Sequence, residues 1–276
     1  MGLIGASVGL AATAAGYYVT AYDASPECNQ FALTSKAAHA VKGSLAEAVH
    51  DAQIVIVCTP PEFVADTIRA ALAFTSSDVI ITDVTSTKAP LIPIAQAECR
   101  FIPGHPMAGS ERHGAQNAQC ELFKNAIWPL CPATATPLNY LSKLESFITD
   151  IGAIPMQLDA AVHDASIAIT SHLPHIAAYA MYAMARQADL TSGLPVFELA
   201  AGGFHSATRV AASSPAAWTQ ILTSNRVAVV TTLTSYVEHL DQVRDALSRE
   251  DDTRLYALLS AGVRNPDHVV RYPTNK

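Results

Sequence analysis

Two short apolar runs, Ile54-Val55-Ile56-Val57-Cys58 and Val79-Ile80-Ile81-Thr82, constrain this chain more than any other feature. Neither run alternates between apolar and polar residues. A strand without alternation is buried on both faces, and such strands belong to parallel sheets covered by helices. The stretch between them, from about residue 62 to 73, has the length and pattern of a crossover helix, so the unit reads strand, helix, parallel strand. Both runs stop on turn-forming residues, Thr59-Pro60-Pro61 and Asp83-Val84-Thr85-Ser86-Thr87-Lys88. In open α/β sheets the carboxyl ends of the strands face the ligand crevice. Thr59 and Pro60 are therefore candidate walls of that crevice, and Ser86 and Lys88 bring a hydroxyl and an ammonium to it. A second reading stays open for Asp83 and Ser86, as caps for a helix that opens near Ala89-Pro90.

The amino terminus fits the same architecture. Gly2-Leu3-Ile4-Gly5 is followed by an Ala-rich run to Ala15, then Gly16, a β-rich stretch over residues 17–22 and Asp23. Glycine turn, helix, strand and acidic residue make the second half of a dinucleotide fingerprint. Gly2 allows close approach to a pyrophosphate at the helix amino terminus, Gly5 allows tight helix packing, and Asp23 offers a carboxylate to a ribose 2'-hydroxyl. An acidic residue there repels a 2'-phosphate, so the expected cofactor is NAD, with Gly2, Leu3, Ile4, Gly5, Asp23, Thr59 and Pro60 around it. The fingerprint's first glycine and its preceding strand would stand before Met1, and the expectation is that the protein starts upstream of this methionine.

Charge and cysteine usage narrow the partners. With 17 basic and 24 acidic residues the net charge is -7, which disfavours nucleic acid and anionic membrane. The apolar start lacks a basic leader and polar residues return by Asp23, so neither export nor a membrane span is expected. Five cysteines, an odd number without a CxxC pair, suit reduced thiols in the cytoplasm.

After a third apolar run at residues 101–103 comes Gly104-His105-Pro106-Met107-Ala108-Gly109-Ser110-Glu111. Two glycines and a proline shape a loop that carries an imidazole, a hydroxyl and a carboxylate. A histidine held in such a loop can accept and return a proton near neutral pH, although a loop histidine can equally serve only to cap a backbone carbonyl. The pattern next predicts a helix over 119–123, a strand over 127–131, a helix over 138–150 and a strand over 154–158. Beyond that the chain is Ala-, Ile- and Met-rich without β signal, so a dinucleotide-binding domain over 1–157 is expected to precede an all-α domain over 158–276.

Two stretches of the helical half carry chemistry. Ser171-His172-Leu173-Pro174-His175 lies in a long helix that Pro174 should bend, with both histidines on one face. No metal is expected there, because Asp159 and Asp164 lie two or more turns away. Gly202-Gly203-Phe204-His205-Ser206-Ala207-Thr208-Arg209 ends on a guanidinium that can grip a carboxylate bidentately or pair with a surface carboxylate.

Taken in order, GLIGAS at 2–7, DVTSTK at 83–88, GHPMAGSE at 104–111, SHLPH at 171–175 and AGGFHSATRVAASSPAAW at 201–218 resemble the prephenate and arogenate dehydrogenases of tyrosine biosynthesis. The resemblance implies a Rossmann-type domain followed by an all-α dimerisation domain, a homodimer and NAD. It implies hydride transfer from the ring C4 alcohol of prephenate or arogenate while C1 loses carbon dioxide. His105 would take the hydroxyl proton, Ser86 would orient it and Arg209 would bind a substrate carboxylate. Ser110, Glu111, His172, His175 and Gly202 would line the same pocket. The family often has Asp where Ser206 stands.

Overall fold

The computed structural model describes residues 1–109 and 114–265, so Ser110 and Glu111 lie outside the described residues. Helix α1 (Leu3–Ala14) starts at Gly2 and buries Gly5, Ala6, Ser7, Val8, Gly9, Ala11 and Ala12. Small side chains let it lie directly on its neighbours. A Cβ on Gly5 would stand 3.1 Å from Cys58 Cβ, and one on Gly9 only 2.2 Å from the Ala37 carbonyl oxygen. Strand β1 (Thr20–Ala21) is shorter than the expected 17–22. Its flanks spend their hydrogen bonds elsewhere: Tyr17 N–H on the Ala12 carbonyl, Val19 N–H on the His39 ring.

After α2 (Pro26–Thr34) and β2 (Ala40–Val41), α3 (Leu45–Val49) carries a capping box. Ser44 Oγ accepts from Glu47 N–H at 3.2 Å, while the Glu47 carboxylate reaches Gly43 N–H, one residue before the cap. The two β-branched runs become β3 (Ile54–Val57) and β4 (Ile80–Asp83), joined by α4 (Pro61–Phe74). After α5 (Ile92–Ala97) comes β5 (Phe101–Ile102), and β3, β4 and β5 form a parallel ladder with β4 in the centre, wholly buried. β1 and β2 pair in a separate parallel ladder, and among the described residues no strand joins β1 to β3. In the usual doubly wound order the strand before the glycine turn lies between those two. α1 spans this break, packing Val8, Ala11 and Ala12 with Ile80, Ile102, Phe123 and Trp128.

Residues 103–107 turn back along β6 (Ile127–Leu130), with His105 N–H on the Pro129 carbonyl and Cys131 N–H on that of Pro103. The helix expected at 119–123 is absent; residues 120–125 are turns that end on Asn125 at a φ of 60°. Distant partners decide the local path instead: Gln119 N–H donates to Ser7 Oγ at 3.0 Å, and Phe123 is fully buried. α6 (Leu138–Asp150) and β7 (Ile154–Gln157) follow as expected, with Leu141, Leu144, Phe147 and Ile148 packed inward.

Asp159 then caps α7 (Ala160–Ile167), which widens into a π turn over Ala168–His172 before α8 (Leu173–Ser192). The disturbance expected at Pro174 takes the form of this π turn, which ends two residues before the proline. Pro174 occupies the first turn of α8, where its missing N–H costs little, and the His175 ring donates to the Ser171 carbonyl at 3.0 Å. The chain closes with α9 (Gly202–Thr208), α10 (Pro215–Ser224), α11 (Arg226–Ser248) and α12 (Asp252–Ala261).

Candidate active site

The crevice base is a buried polar knot at the carboxyl end of β4. The Lys88 ammonium, fully buried, donates to Asp83 Oδ2 at 2.5 Å, to Thr85 Oγ1 at 3.2 Å and to the Gly104 carbonyl at 2.6 Å. Asp83 Oδ1 accepts from Gly104 N–H at 3.1 Å, so both polar groups of Gly104 are held by one ion pair. Gly104 must be glycine for this: a Cβ would stand 2.8 Å from Thr82 Oγ1 and 2.9 Å from Trp128 Nε1. The next residue, His105, is thereby aimed from a backbone that cannot shift. Ser86 is half-buried between the buried Thr85 and Thr87.

The helical half supplies the other side. His105 Nδ1 lies 2.9 Å from His163 Nε2, and His163 Nδ1 lies 2.7 Å from Asp164 Oδ1. Asp164 also accepts from the backbone N–H groups of Lys88, at 2.9 Å, and Ala89, at 2.8 Å. This corrects the capping alternative for Asp83 and Ser86, since the turn at Ala89 is capped from α7 while Asp83 is committed to Lys88. Asn225 donates to the Asp164 carbonyl at 2.8 Å and lies 3.3 Å from His172 Nδ1. The Trp218 ring stacks on His175, with centroids 3.5 Å apart, and meets His172 edge-on. His172 and His175 therefore share a face, as expected.

Burial and neighbouring charge lower the pKa values of His105, His172 and His175. Loss of solvent, then the Lys88 ammonium and the neighbouring His163 and His172, push His105 well below the ordinary histidine range. Burial lowers His172 to about 4. Burial alone would raise Asp164, but hydrogen bonds from His163, Ala89 and Lys88 outweigh it and keep the carboxyl below its usual value. His172 Nε2 is buried without a partner among the described residues. Its Nδ1 faces the Asn225 amide donor, so Nε2 carries the hydrogen and lacks an acceptor. Arg209, exposed at the end of α9, is close enough for its charge to lower His175. Gly202 opens α9 and is exposed.

The opposite wall of the crevice fits a dinucleotide. At Gly2 a Cβ would meet nothing within 4 Å, and no side chain caps the first turn of α1, so its N–H groups face open space. Asp23, just past β1, holds Ser25 N–H at 2.8 Å and the Met1 amino group. Thr59 Oγ1, at the end of β3, is buried with no partner among the described residues, and Pro60 caps α4 beside it. The residues that sequence reasoning left without a role in this site are His163, Asp164, Asn225 and Trp218. The His-Asp dipeptide was the one visible signal, and nothing local tied it to His105.

Residues 8–156 match the family described as prephenate dehydrogenase, nucleotide-binding domain, and residues 159–261 match its dimerisation domain. A cyclohexadienyl dehydrogenase of Zymomonas mobilis is 31% identical over 256 residues, 91% of this chain and 87% of that protein. A prephenate dehydrogenase of Bacillus subtilis is 30% identical over 93% of this chain and 71% of its own length. The crystal structure of Synechocystis arogenate dehydrogenase superposes with a TM-score of 0.84 at 29% identity, covering 94% of each chain. The two matched domains follow one another along nearly the whole chain, and the chain belongs to the prephenate dehydrogenase family of NAD-dependent oxidoreductases in tyrosine biosynthesis.

Proposed function

We propose that the chain oxidises prephenate, and arogenate in the same site, with His105 as the base. The observation that carries this reading is the placement of His105: a half-buried imidazole, held below the ordinary histidine range, whose Nδ1 lies 2.9 Å from His163 Nε2. NAD, when bound, accepts the hydride from ring C4. As that hydride leaves, positive charge builds on C4, and a lone pair on His105 Nε2 stabilises it by accepting the hydroxyl proton. The C1–carboxylate bond breaks, its electrons complete the aromatic ring, and the proton returns from His105 to the ring oxygen. Ser86 orients the hydroxyl from the β4 turn. His172 Nε2–H, lacking an acceptor among the described residues, supplies a hydrogen bond to a substrate oxygen, and His175 and Gly202 line the pocket. Arg209 binds a substrate carboxylate.

Arg209 lies on an exposed helix, and the helical half bears exposed Met184, Leu190, Leu199 and Val227. These support a homodimer in which a second copy covers this side of the site. No described helix is long and apolar enough to cross a membrane. Five free thiols support a reducing, cytoplasmic setting.

The test is NADH formation, followed by near-ultraviolet absorbance, when the protein is mixed with NAD and prephenate or arogenate. Turnover of either supports the reading and ranks the two; turnover of neither, with NAD bound, refutes it.

A further inference from the structure

We propose that His163 and Asp164 are a positioning pair that selects the tautomer of His105, and that Asp164 makes this selection depend on the docking of the two halves of the chain. The inference rests on His105 being the base. Its physical content is a line of donors and acceptors with one consistent direction. Asp164 already accepts two backbone N–H groups, from Lys88 and Ala89, as only an ionised carboxylate can do comfortably. Its third partner, His163 Nδ1 at 2.7 Å, must then donate. A neutral His163 with its hydrogen on Nδ1 has a bare lone pair on Nε2. That lone pair, 2.9 Å from His105 Nδ1, obliges His105 to carry its own hydrogen on Nδ1. The remaining nitrogen, His105 Nε2, is left as an acceptor for substrate. Once His105 has taken a proton, its Nδ1–H still points to His163, and the Asp164 charge stabilises the imidazolium through that ring.

The groups facing His105 are few and buried. Lys88 and Asp83 come from the β4 turn, His163 and Asp164 from α7 and His172 from the π turn; each is at most 3% exposed. Among the described residues His163 is the hydrogen-bond partner of His105 Nδ1. Asp164 sits on the helical half, yet the N–H groups it caps belong to the turn after β4 in the nucleotide-binding half. Separating the two halves would free Asp164 from Lys88 and Ala89 and remove His163 from His105 together. The base would then lose its direction whenever the crevice is open.

The experiment is histidine side-chain ¹⁵N nuclear magnetic resonance on the full-length protein without substrate, combined with steady-state turnover, for wild type, His163→Leu and His163→Gln. Nitrogen shifts separate Nδ1–H from Nε2–H directly. In wild type His105 is expected as Nδ1–H. In His163→Leu it redistributes toward Nε2–H, and kcat/KM falls about 100-fold, the upper end for loss of a residue that orients a functional histidine. In His163→Gln the amide oxygen restores the acceptor, and both readouts return most of the way to wild type. A wild-type His105 found as Nε2–H would overturn the proposal, because it would mean that a protonated His163 donates toward His105. So would a His163→Leu protein that keeps Nδ1–H, or a Gln variant as impaired as the Leu one. If the Leu variant fails to fold, the wild-type tautomer and the Gln variant still decide. The tautomer readout needs no turnover, so absence of activity in wild type would refute the function without deciding this point.

Discussion

The two sides of the site are built in opposite ways. On the base side Asp83, Lys88, His163, Asp164 and His172 are at most 3% exposed, and nearly every polar atom has a partner. On the carboxylate side α9 buries only Thr208, α10 buries nothing, and Arg209 is exposed. The difference follows from what each side must do. A proton acceptor needs a set tautomer and a depressed pKa, which require low dielectric and saturated hydrogen bonds. A guanidinium needs only its charge and reach, and both survive in water. An exposed ion pair is worth about 1 kcal/mol at most, so the carboxylate side becomes strong only when substrate and a second copy exclude water from it.

The sharpest way to break this comparison is at the base. His105→Asn should lower kcat by about 10²- to 10⁴-fold while NAD still binds, measured by turnover and by nucleotide titration. An undiminished kcat would place the base elsewhere. Next in size is the knot beneath it. Lys88→Met leaves the Asp83 carboxylate buried and unpaired and should cost about 3–5 kcal/mol in urea unfolding, with Lys88→Met/Asp83→Asn recovering part of the loss. A loss under about 1 kcal/mol would show that the knot does not support the fold.

The exposed side should respond differently. Arg209→Ala should raise the substrate KM about 10- to 100-fold, the range of about 1.5–3 kcal/mol for a charged hydrogen bond, with unfolding stability shifted by no more than about 0.5 kcal/mol. A KM that stays put would assign the carboxylate to another group.

The last effect is spread over a range of pH. His105, His172 and His175 all have folded pKa values below the unfolded value. Above about pH 6.5 both states hold these rings neutral and stability is level. Below it the unfolded chain takes up protons that the folded chain refuses, so stability falls as pH falls. For His172, lowered to about 4, the slope approaches about 1.4 kcal/mol per pH unit between 6.5 and that value. Urea midpoints from pH 7.5 to 4.5 would show it, and a level profile between 6.5 and 5 would contradict the buried neutral histidines. The acid limb of kcat/KM should likewise lie well below pH 6.5.

Much of this was legible along the chain because it is local. Unbroken β-branched runs predict β3 and β4, and the spacing of apolar residues predicts α6 over 138–150. The loop that holds His105 was visible from its glycines and proline. The strand expected over 17–22 and the helix expected over 119–123 failed for one reason: local propensity lost to partners supplied by distant residues. The disturbance expected at Pro174 appears as the π turn just before it.

By itself the sequence determined the alternation of strands and helices, the glycine turn at Gly2 and Gly5, and the identity of His105 as a candidate base. Each depends on residues within about a turn or a strand of one another. Only the tertiary structure decided what makes that histidine usable. His163 is 58 residues from His105, and Asp164 is 76 from the Lys88 backbone it caps. Lys88, which in sequence reads only as an ammonium near the crevice, is the buried centre of the loop's support. Hydrogen-bond direction and desolvation are properties of groups brought together in space, and no periodicity along the chain encodes which groups those will be.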